Sequence, residues 1–309
     1  MEKAGICGCS NGLPAKARET VLGLTEFLES CGKEVMLSPC LYAKNGPFSG
    51  SGQERAQALM GLFRDPEQAL MGLFRDPEIR EIYDLSGGDL ANQILDDLDF
   101  GEIGKSQAVL WGYSDLTCVL NAIYTMTGKW SVLYQLRFLA DPQFGTIQKT
   151  RYLERDRLFS PGIRMVQGDK MEGILVGGNI RCFLKLAGTR YFPDLQDKIL
   201  LLEARSGGTD RMTAFLSQLQ SCGAFQKIRG ILLGTFTELD RDNSQAMISL
   251  VQSFVGKEMP IGKTEDIGHS PDARGIYIGR KLTVDAEPHG NQFDIPEDQV
   301  YNAEKTKGR

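Results

Sequence analysis

The sequence predicts an α/β protein: a parallel sheet covered by helices on both faces, followed by a smaller β-rich part. Three observations carry this. Short apolar runs alternate with stretches of helical periodicity through residues 4–126, the pattern a parallel sheet needs. A polar, irregular, arginine-rich stretch then runs from about 139 to 168, as a passage between domains does. From Pro260 onward, glycines and short strand signals dominate. The boundaries that follow are an N-terminal α/β domain over 1–140, a linker over 141–168 and a C-terminal β-rich domain over 169–309.

Residues 4–9 form a short apolar run that meets Ser10, Asn11 and Gly12. Pro14 suits a helix start, where its missing N–H costs nothing. Val21, Leu24, Leu28 and Cys31 follow on one helical face, and Gly32 closes the helix. Residues 34–37 read as a second strand, and 39–51 as a loop. QALMGLFRDPE then occurs twice, identically, at 57–67 and 68–78. Eleven residues come to about three turns of helix, so a duplication of that length keeps the apolar face in phase. Pro66 opposes a straight helix, so a lengthened or kinked surface helix is expected. Residues 79–85 lead into Ser86-Gly87-Gly88-Asp89, then a helix over 90–98, a strand over 107–111 and a helix over 116–126. Beyond the linker, 198–202 is a strongly apolar strand ending in Glu203. Thr209 caps a helix with Met212, Phe215, Leu216 and Leu219 on one face and Gly223 at its end, and 228–233 is a further strand. The residues after Tyr301 are expected to fray.

With 309 residues, 41% hydrophobic and 24% charged, the chain can bury ordinary cores. Its net charge of −5 argues against a nucleic-acid partner. Seven irregularly spaced cysteines and two histidines suggest no tetrahedral metal set and no cofactor; reduced thiols are expected. Neither a signal peptide nor a membrane-spanning run is read, which makes the cytoplasm the expected compartment.

Residues 108–115, AVLWGYSD, read as a strand, a tight turn and a helix start. A serine in that turn is pushed out at the carboxyl end of the sheet, beside backbone N–H groups that open a helix. This suits a nucleophile, although Leu116 replaces the second glycine of G-x-S-x-G. Taken alone, Ser114 is read as a helix cap. A serine nucleophile needs a base, and only His269, in the turn Gly268-His269-Ser270-Pro271, and His289, in a charged turn, are available. His269 has the better setting. Glu203, closing an apolar strand, is the candidate orienting acid; its other reading is a strand-end carboxylate facing water.

These segments together resemble the LD-carboxypeptidases, which share their fold with the microcin C immunity peptidases. The resemblance spans nearly the whole chain. It rests on Gly87-Gly88, Leu98-Asp99-Phe100, Gly112-Tyr113-Ser114-Asp115-Leu116-Thr117, Glu172-Gly173 with Gly177-Gly178-Asn179, Gly188-Thr189 with Pro193-Asp194-Leu195, Ile199 to Glu203, Asp210-Arg211-Met212 and Gly268-His269 in the family's order. It implies a flavodoxin-like N-terminal domain, a smaller β-rich C-terminal domain, a homodimer, and a triad of Ser114, Glu203 and His269 in the cleft between the domains. The backbone N–H groups of Gly88 and Asp115 are the expected oxyanion donors. The implied substrate is a small peptide or muropeptide whose scissile amide joins an L-centre to a terminal D-amino acid. Arg181 and Arg205 are candidates for its free carboxylate. Asp89 stands where the family often has tyrosine, and Ala204-Arg205-Ser206-Gly207-Gly208 replaces the usual acidic continuation after Glu203. Rival readings are an immunity-type amidase acting on peptidyl-nucleotides with the same triad, a catalytically silent binding scaffold, and an amidotransferase using Cys118.

Overall fold

The computed structural model describes residues 2–64, 79–286 and 292–293. His289, the whole second copy of the duplication (68–78), Pro66 and the tail after Tyr301 lie outside the described residues; the start of the first copy, 57–64, closes a helix.

Strands β1 (Glu2–Cys7), β2 (Lys33–Leu37), β3 (Ile79–Asp84), β4 (Val109–Gly112) and β5 (Ser131–Leu133) pair in parallel in the order β2-β1-β3-β4-β5. That is the flavodoxin-like doubly wound order. With both faces covered, β4 and β5 are buried throughout, whereas β2 and β3 carry charged residues such as Glu34 and Glu81. Helix α1 (Arg18–Ser30) buries Val21, Leu24 and Leu28 on one face, at the spacing read from sequence. Helices α2 (Gly52–Arg64), α3 (Phe100–Lys105) and α4 (Thr117–Thr127) supply the rest of the cover. Residues 91–97 form a 3-10 run rather than an α-helix.

The 141–168 segment holds helices α5 (Gly145–Leu153) and α6 (Arg155–Leu158) and strand β6 (Arg164–Gln167). A second, seven-stranded sheet follows: β7 (Lys170–Asn179), β8 (Lys198–Ala204), β9 (Gly230–Phe236) and β10 (Ile261–Lys263) are parallel at its centre. β6 and β12 (Lys281–Asp285) flank them antiparallel, and β13 (Gln292–Phe293) pairs with β12. One strand of the last third, β11 (Ile276–Ile278), returns to the first sheet and pairs antiparallel with β5. Helices α7 (Ile180–Leu184), α8 (Thr209–Ser221), α9 (Ala224–Lys227), α10 (Leu239–Asp242) and α11 (Ala246–Phe254) accompany the second sheet.

The period-two alternation of a strand decides which core each residue of β8 enters. Leu200 and Leu202 pack into the cluster with α8 and α11. Ile199 and Leu201 face the other way, into a cluster that includes Cys118, Val119 and Ala122 of α4. Helix α4 is therefore apolar nearly all round, since it lies between the two sheets.

Candidate active site

Three segments at carboxyl ends of parallel strands converge on one cleft. The first follows β4. Tyr113 is extended, and Ser114 then takes φ +55°, a left-handed conformation uncommon for a residue with a Cβ. The chain passes through a 3-10 turn into α4, so Ser114 stands at a strained strand-to-helix turn with its hydroxyl outward.

The second segment is the end of strand β8, which carries Glu203. Parity along β8 turns it toward α4, with Ile199 and Leu201, and the parallel register sets it beside Asn179 of β7. Its side chain is fully buried. Asn179 Nδ2 donates to Oε1 at 3.0 Å and Tyr113 OH donates to Oε2 at 3.2 Å. Burial, and then the Glu203 charge, push the Tyr113 phenol well above its ordinary pKa, so it stays a donor.

The third loop bears His269. Gly268 is required there, because a Cβ would fall 1.6 Å from Thr235 Oγ1 of β9. The Thr235 N–H donates to the Ile267 carbonyl, and Gln148 of α5 donates to the carbonyls of Pro271 and Ala273 at 2.7 and 2.8 Å. With both sides of the turn held, His269 Nε2 lies 3.1 Å from Ser114 Oγ and Nδ1 lies 2.8 Å from Glu203 Oε2. The Nδ1 contact is at ion-pair distance but off line for a hydrogen bond, a looseness common before substrate binds. Tyr113 meets the imidazole edge-on, with ring centroids 5.0 Å apart.

Ser114, Asn179, Ala204, Arg205, Ser206, Gly88, Asp89 and Arg181 line a cleft of about 160 Å³. Gly88 has φ +129°, and a Cβ there would meet the Asn11 side chain at 2.3 Å. Its loop is fixed from below. Asp84 accepts from Ser86 N–H and from Cys9 N–H at 2.7 and 2.6 Å, and Asn11 N–H donates to the Gly87 carbonyl. The Asp115 carboxylate is fully buried and receives Ser10 Oγ, Ala91 N–H and Lys185 Nζ at 2.6, 2.8 and 2.5 Å. Asp115 thus joins the nucleophile turn to the glycine loop and to the residues after α7.

The residues of the expected triad, Ser114, Glu203 and His269, meet here, with Gly88 and Asp115 beside them. Asn179 and Tyr113, which hold Glu203, carried no assigned role in the sequence reading; their places in the Gly177-Gly178-Asn179 and Gly112-Tyr113-Ser114 motifs were the available signal. Cys118 does not join them: it is fully buried, its thiol donates to the Asp115 carbonyl at 3.1 Å, and burial raises its pKa. Cys7, Cys9 and Asp84 gather within 4.8 Å in the interior. The Asp84 carboxylate is taken by backbone and hydroxyl donors, and the Cys9 thiol is pushed well above its ordinary pKa by its hydrogen bond to Cys7 and by burial. A metal would need that thiol deprotonated. No helix of the described residues is long and apolar enough to cross a membrane.

A hydroxyl, an imidazole and a buried carboxylate thus lie within reach of one another at the mouth of a doubly wound sheet. Residues 67–135 match the LD-carboxypeptidase N-terminal domain and residues 172–284 the LD-carboxypeptidase C-terminal domain. The chain belongs to the LD-carboxypeptidase family. It is 27% identical over 273 residues to a probable murein peptide carboxypeptidase of Bacillus subtilis, covering 84% of this chain and 82% of that protein. It is 24% identical to the microcin C7 self-immunity protein MccF of Escherichia coli, covering 84% and 83%. Among solved structures, MccF superposes with a TM-score of 0.80 at 20% identity over 96% of each chain. A muramoyltetrapeptide carboxypeptidase from Oxalobacter formigenes superposes at 0.75, with 23% identity over 95% of this chain and 99% of that one.

Proposed function

We propose that the protein is a serine-type LD-carboxypeptidase that releases a terminal D-amino acid from a murein-type tetrapeptide. One observation carries the reading: the imidazole of His269 bridges Ser114 Oγ at 3.1 Å and Glu203 Oε2 at 2.8 Å. His269 takes the hydroxyl proton as Ser114 attacks the amide carbonyl. Glu203 fixes the tautomer that leaves Nε2 free to accept, and stabilises the imidazolium that forms. The backbone N–H groups of Asp115 and Gly88 receive the oxyanion; loss of one such donor costs about 10²–10³ in turnover. His269 then protonates the departing amine, and water, deprotonated by the same imidazole, hydrolyses the acyl-enzyme. The names of the murein relatives support this substrate class. Among the described residues that line the cleft none is aromatic, and Trp111 is buried against Tyr83, Tyr134 and Phe159. That favours a peptide over a nucleotide whose base must stack.

The test incubates the protein and its Ser114→Ala variant with a murein tetrapeptide and with a peptidyl-adenylate analogue. D-alanine released by the parent alone is expected. Turnover of neither substrate refutes the reading in favour of a silent scaffold, and preference for the nucleotide selects the immunity-type amidase.

A further inference from the structure

The carboxylate of a terminal residue is one Cα away from the scissile nitrogen, so whatever holds it must line the same small cleft as the nucleophile. Two cations do so, Arg181 and Arg205. Arg181 is engaged: its guanidinium pairs with Asp89 and donates to the Gly88 carbonyl. Arg205 is exposed, lines the cleft beside Ser206, and has no partner among the described residues. A second cation stands close by. The Arg137 guanidinium reaches the back of the glycine loop, with Nη2 4.0 Å from where a Cβ on Gly87 would be, and its Nε is buried without a hydrogen-bond partner. Burial holds the Arg137 pKa below its ordinary value; the Asp84 charge opposes this, and the Arg205 charge adds to it. A cation in the cleft and a like charge behind its glycine loop disfavour each other, a cost that an anion bound at Arg205 lowers.

We infer that Arg205, backed by Arg137, binds the free terminal carboxylate of the substrate and makes the enzyme a carboxypeptidase rather than an endopeptidase. The inference rests on the proposed serine-peptidase reading. Arg205 presents its planar fork to the carboxylate on the leaving-group side of Ser114, while Arg137 supplies charge from beneath Gly87. Arg205 stands in the stretch after Glu203, and Arg137 in the 3-10 turn after β5.

Steady-state kinetics of the full chain with a tetrapeptide and with the same peptide as its C-terminal amide test this. Arg205→Gln is expected to lower kcat/KM for the free acid about 10- to 100-fold, mainly through KM, as loss of a charge-assisted hydrogen bond does. The amide, a poorer substrate for the parent, is expected to be cleaved equally by both proteins. Arg205→Lys keeps the charge without the fork and recovers part of the loss. Because Arg205 is exposed, the variant keeps its fold, which an unchanged melting temperature checks. Equal losses on acid and amide, or no loss on either, overturn the inference while leaving the peptidase reading intact. A loss confined to a peptidyl-nucleotide assigns the cation to a phosphoryl group and overturns it too. No D-alanine release by the unsubstituted protein overturns the peptidase reading, and the inference with it.

Discussion

Replacing Glu203 by glutamine exchanges one carboxylate oxygen for an NH₂, and the surroundings decide which one. Asn179 Nδ2 donates to Oε1, and the Asn179 amide cannot turn over freely, because its Oδ1 accepts the Cys182 N–H as the cap of α7. The glutamine carbonyl must therefore face Asn179, which leaves its NH₂ facing His269 Nδ1, 2.8 Å away in the parent. Nδ1 becomes an acceptor, so Nε2 carries the proton and can no longer take one from Ser114. In another serine peptidase the corresponding acid-to-amide change lowers kcat about 10⁴-fold. The same loss is expected here, about 5 kcal/mol in the barrier. The assay is initial-rate D-alanine release by Glu203→Gln, with a melting curve to show that the fold persists. The reasoning also predicts a partial rescue. Asn179→Asp in the same chain accepts from the glutamine NH₂, turns its carbonyl toward Nδ1 and still caps α7. A loss under tenfold for Glu203→Gln refutes the orienting role of Glu203; a full loss that Asn179→Asp leaves unrelieved refutes the tautomer argument alone.

Three further outcomes are expected. Ser114→Gly abolishes turnover but relieves the left-handed turn at φ +55°, raising stability by about 1 kcal/mol in thermal melts. Gly88→Ala drives a Cβ to 2.3 Å from Asn11 at φ +129° and lowers stability by about 1–3 kcal/mol, with a drop in kcat as the loop shifts. Lys129, whose pKa burial lowers from 10.5 to about 8, makes the unfolded chain bind more protons than the folded one between those values, so its cost is complete below about 8 and disappears as pH rises to 10.5. Urea midpoints of the parent, measured against Lys129→Met across that window, should converge as the pH rises; parallel lines contradict the assignment.

Regular apolar periodicity made much of this architecture readable. α1 and α8 were placed by spacing and β8 by its apolar run; strand–helix alternation indicates a covered parallel sheet, whereas the flavodoxin-like order β2-β1-β3-β4-β5 was expected only from the family resemblance. Helix α5 was not legible. In residues 145–153, Gly145, Gln148 and Tyr152 are buried while Ile147 and Leu153 are exposed, so its buried face is not its apolar face. The buried Gln148 faces inward to grip the histidine loop, which no hydrophobicity pattern discloses. The return of β11 to the first sheet is equally hidden, because its partner β5 is 143 residues upstream at closest register, from Leu133 to Ile276. At the site, Ser114 and Glu203 drew notice because each closes an apolar strand, but their expected roles came from the family resemblance, since alone Ser114 read as a helix cap. Asn179 and Tyr113 were assigned no role: theirs depends on lying beside Glu203 across two strands and a turn.

The nucleophile belongs to the first sheet and its acid to the second, so the distance between them depends on how the two sheets are joined. Helix α4 makes that joint polar as well as apolar. Asn121 donates to the Gly177 carbonyl and accepts the Gly177 N–H, both at 2.8 Å, and so takes the place of a neighbouring strand for one residue of β7. One turn earlier Thr117 Oγ1 accepts the Asn179 N–H at 3.1 Å. These bonds tie the helix that begins at the nucleophile to the strand that ends at the residue holding Glu203. Apolar packing alone tolerates small slides along a helix axis at little cost, whereas a buried N–H or C=O left without its partner costs about 1–3 kcal/mol. The clamps therefore fix register as well as contact. A displacement on the order of 1 Å between attacking and orienting groups is enough to lose about 10² in rate. Asn121 and Thr117 touch neither Ser114 nor His269 through any of these bonds, yet they determine whether the three side chains meet.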